Sequence, residues 1–390
     1  MKDQTSILLI NAKIIGAQKQ IDSGWLLMEG QHIHSIGSGD APASVEHTAV
    51  KTINCHGGTL LPGFIDLHTH GAVGADFVFG SSDEIKNIST FFARHGVTSF
   101  LASTYAASQT EISTAIDTIR SVKGDEPGAR ILGIHLEGPW LNPLKAGAQS
   151  VSNIRKATPA EALVYLDSGL IKLVAIAPEI VENHWLIKTC KERNITVAAG
   201  HTAASYAEMQ KAVQLGVTLV THCFNAMGVL HHREPGVVGA ALSLEELRCE
   251  LIADNIHVHP AVMNILVKAK RPQDVILITD SISAVGMPDG EYSLEGQPVT
   301  LANGAARLAD GTLAGSTLTM DAALRNFAAA TRLPLEKIWI CLSLNAAKAI
   351  HVDDRKGRIA PNYDADLVLL DSNLHVQLTV IEGQICFDAR

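Results

Sequence analysis

The chain has 390 residues, 47% of them hydrophobic and 18% charged. That composition excludes a disordered chain and leaves room for one large core, with at most a smaller companion. The formal net charge of −9 argues against nonspecific binding to nucleic acid or an anionic membrane, while a small anionic ligand held by a local cluster stays compatible with it.

The first sixty residues read as short strands: ILLINAKII, GWLLMEG, HIHSIGSG and VKTINCHGG, punctuated by Gly, Asp and Asn. The opening MKDQTSILLINAKIIG has no long apolar leader core and no cleavage signal, and no stretch approaches the ~20 apolar residues of a membrane helix. The six cysteines (55, 190, 223, 249, 341 and 386) form no CxxC. A cytoplasmic protein with reduced thiols is expected.

Residues 61–356 have a rhythm. Eight β-prone runs recur: GFIDLH, VTSFLAS, ILGIHLEG, KLVAIAPE, ITVAAGH, VTLVTHC, CELIADN and VILITDS. Helical patterns with apolar residues three to four apart lie between most of them, such as SDEIKNISTFFARHG, TEISTAIDTIRS, NHWLIKTCKERN and SYAEMQKAVQLG. The faintest helical pattern falls between the sixth and seventh runs. From Gly357 the β-rich character returns in KGRIAPNYDADLVLLD and HVQLTVIEGQICF. Alternating strands and helices predict a parallel sheet, and eight units predict a (β/α)8 barrel. An open doubly wound sheet is the alternative, but no GxGxxG follows the first strand. The expected architecture is α/β: a TIM-like catalytic barrel over 61–356 and a small β domain joining 1–60 to 357–390.

The predicted strand ends carry the chemistry. Run one ends in His68-Thr-His70, run three in His135-Leu-Glu137, run five in His201, run six in His222 and run eight in Asp280. A barrel gathers all its strand ends at one mouth, and residues i and i+2 of a strand share a side. HxH alone describes two hydrogen-bonded histidines equally well. Five such ends at one rim point to a metal centre, because a buried carboxylate without a partner is costly. Imidazole with carboxylate suits Zn²⁺ or Fe²⁺, with Mn²⁺ and Co²⁺ also compatible. The minimal site is one ion on Glu137, His201 and His222; the extended site adds a second ion on His68 and His70, sharing Glu137. Asp280 is placed to move a proton between an attacking water and a leaving amine, or to serve as a further ligand.

Together HTHG, HLEGPWLNPLKAGAQ, AAGHT, VTHCFNAM, HHREPGVVG, IADNIHVHP, ITDSISAVGMPDG and DGTLAGSTLTMDAAL resemble the N-acetylglucosamine-6-phosphate deacetylases of the amidohydrolase superfamily. The resemblance runs over nearly the whole chain. It implies a metal-dependent barrel with a small β-sandwich domain, a cytoplasmic homodimer, and release of acetate from an amino-sugar phosphate. It further implies Glu137, His201 and His222 as the main metal site, His68 and His70 as a second-metal pair that only some members keep, and Asp280 as the acid/base. Asn225, Ala226 and Arg233 match the phosphate-binding set, with Arg233 acting across the dimer interface. His257 matches a sugar-contacting histidine, with Asp254, Asn255 and Ile256 on the same wall. Ala148 and Gln149 match a loop that touches the sugar; where this chain has Gln149, some members have His. Leu313, Ala314 and Gly315 match a covering loop. His231, His232 and His259 are read as structural. Competing readings are the N-acetylgalactosamine-6-phosphate deacetylases, a cyclic amidase or deaminase of the same superfamily, and a non-catalytic sugar-phosphate sensor.

Overall fold

The computed structural model describes residues 6–294 and 297–390; the first five residues, part of the opening stretch read for a leader, lie outside that range. The eight runs form one parallel sheet of neighbouring strands in chain order: β1 (Phe64–Thr69), β2 (Val97–Thr104), β3 (Arg130–Glu137), β4 (Ile171–Ile176), β5 (Thr196–Ala199), β6 (Leu219–Val220), β7 (Arg248–Ile252) and β8 (Val275–Ile278). Their near-continuous burial is what a parallel sheet with both faces covered demands. The sheet closes where β8 meets β1. The Asp280 amide donates to the His68 carbonyl at 2.8 Å, and the His70 amide donates to the Ser281 carbonyl at 2.7 Å. Beneath this seam the buried Asp66 carboxylate accepts from Thr279 Oγ1 at 2.6 Å. Burial pushes its carboxyl up to about 7, against the hydrogen bonds from Thr279 and the His68 backbone.

Helices pack between the strands. Those at Ser82–Arg94, Gln109–Val122 and Tyr206–Leu215 each start on a serine whose side chain accepts an amide three residues on, while a glutamate there reaches back. These reciprocal caps satisfy otherwise orphaned amides. The faint connection between β6 and β7 is also a helix, Gly236–Ser243. Val237 through Ala241 are all buried there, so its pattern has no polar face to reveal its period.

The chain ends build a second, mixed eight-stranded sheet, the small β-sandwich. Thr59–Pro62 joins the two ends: it runs parallel to Ser6–Ile14 and antiparallel to Leu367–Leu370. Leu9, Ile14, Leu26, Leu60, Leu367 and Leu378 form its own buried core. After β8 an antiparallel three-stranded sheet is inserted: Gly290–Leu294, Gln297–Ala302 and Ala305–Arg307. Residues of this insertion reach the wall of the cavity described below.

Candidate metal centre and substrate cavity

His68 and His70 project to the same side at the end of β1, with their Nε2 atoms 3.1 Å apart. Glu137 closes β3 and stands between two imidazole pairs. Its Oε1 lies 3.4 Å from His68 Nε2 and its Oε2 lies 3.3 Å from His70 Nε2. Oε1 also lies 3.2 Å from His201 Nε2 and 2.9 Å from His222 Nε2, and those two nitrogens are 3.2 Å apart. Asp280 Oδ1 completes the cluster, 3.2 Å from His70 Nε2 and 3.5 Å from His68 Nε2. All six residues are buried.

The backbone is strained where this happens. His201, His222 and Asp280 each sit just past a strand end with positive φ, 45°, 29° and 50°. Non-glycine residues rarely adopt this conformation, which costs of order 1–3 kcal/mol each. The repeated turn occurs at three strand ends whose side chains meet in one cluster.

The donor chemistry fits a divalent cation. His201 Nδ1 lies 2.8 Å from the Lys145 carbonyl oxygen, an acceptor, so Nδ1 carries the proton and Nε2 presents a lone pair. His68 Nδ1 lies 3.2 Å from a Glu250 carboxylate oxygen and follows the same logic. With their Nδ1 protons so placed, the Nε2 lone pairs of His68 and His201 face Glu137 Oε1 at 3.4 and 3.2 Å, an arrangement that positive charge between them stabilises. Two ligand atoms on a tetrahedral ion with bonds of about 2.0–2.1 Å lie about 3.3 Å apart. Two groups among the described residues have the composition and spacing to hold an ion: His68, His70 and Glu137, and Glu137, His201 and His222.

The same carboxylates draw protons. Burial pushes His70 down, yet Asp280 and Glu137 carry it up to about 9. His68 and His201 are likewise raised against burial, chiefly by Glu137. Burial pushes Glu137 up, but the charges of His68 and His201 and the hydrogen bonds of His201 and His222 hold it well below the usual carboxylate range. Cation binding here therefore competes with protons. His135, under the cluster, is pushed far below the usual imidazole range by burial and by the charge of His68.

Above the cluster opens a cavity of about 390 Å³, within the range of small-ligand sites. Of the residues singled out in the sequence, His70, Glu137, Ala148, Gln149, His201, His222, Asn225, Ala226, His257, Asp280, Leu313 and Gly315 line it. The other predicted residues lie off its wall. His68 is beneath His70, fully buried. Asp254 turns back on its own loop, accepting from the Ile256 and His257 amides and holding His257 Nδ1 at 2.6 Å. Asn255 and Ile256 are exposed. Ala314 is buried, its amide bonded to the Ala306 carbonyl. Arg233 is exposed and reaches His232 Nε2 at 2.8 Å.

Sequence reasoning missed Tyr105, Thr312, Arg307 and Glu250. Arg307, from the inserted sheet, is the one Arg or Lys on the wall among the described residues. Nothing in AARLADGT announces it. Glu250 did have a signal, a lone charge inside the apolar run CELI. Gln149 does more than line the wall: its Nε2 donates to Glu137 Oε2 at 2.7 Å.

Known proteins share this arrangement of fold and length. The sequence pattern of the amidohydrolase family matches residues 59–386. An N-acetylglucosamine-6-phosphate deacetylase of Bacillus subtilis (strain 168) is 42% identical over 84% of this chain and 84% of its own. An N-acetylgalactosamine-6-phosphate deacetylase of Escherichia coli O157:H7 is 38% identical over 93% of this chain and 96% of its own. A solved mutant N-acetyl-D-glucosamine-6-phosphate deacetylase of Mycobacterium smegmatis, in complex with N-acetyl-D-glucosamine-6-phosphate, superposes with a TM-score of 0.91 and 31% identity, covering 98% of this chain and 99% of that one. The chain belongs to the amidohydrolase family.

Proposed function

We propose that the protein hydrolyses the acetamide of N-acetyl-D-glucosamine 6-phosphate, giving D-glucosamine 6-phosphate and acetate. The observation that carries this is the buried cluster of four imidazoles and two carboxylates at the floor of a cavity fit for a small ligand. In this reading Glu137, His201 and His222 hold one divalent ion, and His68 and His70, sharing Glu137, hold a second. Zn²⁺ or Fe²⁺ suits the donor set best, with Mn²⁺ or Co²⁺ able to replace them. Such an ion, when bound, is a Lewis acid toward the amide carbonyl and lowers the pKa of an attacking water.

Asp280 moves the proton. Burial pushes its carboxyl up, but the imidazoles of His68 and His70 hold it below the usual range, so it is ionised at neutral pH and able to accept. It takes a proton from the attacking water and delivers it to the departing amine nitrogen. Asn225, Ala226 and His257 face the sugar phosphate, and Leu313 and Gly315 cover it. Ala148 and Gln149 border the reacting end. Remote phosphate contacts orient the amide against Asp280.

Arg307 offers the phosphate a guanidinium from within the same chain. Arg233 is exposed and is not among the residues lining this cavity; in this reading it serves the cavity of a second copy. Its exposure, beside Val229 at 84% and Leu230 at 56% exposed, supports a homodimer in which each copy lends Arg233 to the other. Among the described residues no helix is long and apolar enough to cross a membrane. All six cysteines are unpaired, which supports a reducing, cytoplasmic setting.

The test is acetate release from N-acetylglucosamine 6-phosphate and from the unphosphorylated sugar, after chelation and after return of each metal. Release that needs both metal and phosphate is the expected result; none with any metal refutes the reading. The Escherichia coli relative, matched over 93% of this chain, favours N-acetylgalactosamine 6-phosphate as the second reading. The ratio of kcat/KM for the two epimers decides between them.

A further inference from the structure

We propose that Glu250 is a positioning residue for the second cation group, acting through His68; this rests on the two-group reading above. Glu250 lies in β7 with its side chain fully buried. Its Oε2 stands 3.2 Å from His68 Nδ1 and 3.4 Å from the His222 amide nitrogen. Its Oε1 has no hydrogen-bond partner among the described residues. One carboxylate oxygen thus touches a residue of each metal group.

Two consequences follow from this placement. An oxygen that accepts the His222 amide is an acceptor, so His68 Nδ1 facing it must donate. That leaves the His68 Nε2 lone pair toward His70 Nε2 and Glu137. A carboxylate behind a ligating imidazole fixes the ring and raises its donor strength. The second consequence is charge. A fully buried carboxylate needs a positive partner, and neither oxygen of Glu250 has a Lys or Arg within ion-pair distance among the described residues. A divalent ion on His68 supplies that charge through the ring. The other group is built differently: His201 has only the neutral Lys145 carbonyl behind it. Glu250 therefore favours the His68/His70 group selectively, while its bond to the His222 amide braces a residue held at φ 29°.

Metal-free protein is titrated with Co²⁺, followed by visible absorption and by direct metal analysis after gel filtration. Wild type is expected to take two equivalents. Glu250→Gln keeps an acceptor for His68 but removes the charge, and should weaken the second equivalent about 10-fold; Glu250→Leu removes both and should weaken it about 100-fold, the span typical of such partners. The first equivalent should stay at wild-type affinity in Glu250→Gln, which keeps an acceptor for the His222 amide, and should weaken less than the second in Glu250→Leu, which removes that acceptor. Two equivalents at wild-type affinity in Glu250→Leu overturn this proposal and leave the two-group reading standing. A parallel loss of both equivalents marks a merely structural residue and also overturns it. Wild type that takes only one ion overturns the two-group reading and this inference together. Should the variants not fold, NMR of ¹⁵N-histidine-labelled, zinc-loaded wild type reads the same point: a proton on His68 Nδ1 is expected, and one on Nε2 overturns the proposal.

Discussion

The Gln149 amide nitrogen donates to Glu137 Oε2 at 2.7 Å, while its oxygen accepts the Ala106 amide at 2.7 Å. The Ala106 N–H is a fixed donor, so it dictates which end of the amide faces Glu137. Gln149 thereby steadies the carboxylate shared by both imidazole pairs. Gln149→Ala should lower metal affinity and kcat/KM by about 10-fold or more, the range for partners of ligating carboxylates. Chelator competition alongside steady-state kinetics checks this; unchanged metal affinity would show that the bond is incidental.

Asp280→Asn separates proton transfer from ligation. As acid/base, the residue should cost about 10²–10⁴ in kcat when lost, with metal content and KM near wild type. If metal leaves the protein in proportion to the lost activity, Asp280 is primarily a ligand. Metal analysis on the same samples used for kinetics distinguishes the two.

Arg307 and Arg233 can be told apart by where they act. Arg307→Ala should raise KM for the phosphorylated substrate about 10- to 100-fold, the worth of one charged hydrogen bond, and leave the unphosphorylated sugar unaffected. Mixing Arg233→Ala with Asp280→Asn subunits should restore activity if Arg233 works across an interface. No restoration, with subunit exchange demonstrated, counts against the shared site.

Acid stability should depend on Asp321, away from the metal cluster. Burial pushes this carboxyl up, but hydrogen bonds from His95 at 3.0 Å and Arg325 at 2.8 Å help hold it far below the usual range. A depressed folded pKa contributes stability above the unfolded value of about 4, and that contribution is lost as pH falls through the folded value. Asp321→Asn should therefore cost about 1–3 kcal/mol at pH 7. The gap from wild type should shrink as pH drops below about 4. Urea unfolding of both proteins from pH 7 to pH 3 tests this, and a gap independent of pH would contradict it.

Much of this protein was legible in one dimension. Eight buried runs alternating with helical patterns specified a barrel, because each strand–helix unit declares its period locally. His68, His70, Glu137, His201, His222 and Asp280 stood out because five predicted strands end in metal-ligating residue types that a barrel gathers at one rim. The helix at Gly236–Ser243 was faint because burial all round erases its polar face. What only the tertiary structure decided is which groups meet across the barrel. Glu250 reads as one charge in an apolar run, and closure sets it against His68, 182 residues away. Arg307 belongs to an inserted sheet whose sequence says nothing of the cavity it borders. Asp254 and Ala314 neighbour residues of the cavity wall yet lie off it, Asp254 accepting within its own loop and Ala314 bonded to the Ala306 carbonyl. Periodicity is a property of neighbours along the chain. Contact between distant side chains depends on strand register, barrel closure and the strained turns at His201, His222 and Asp280, and these exist only once the chain has folded.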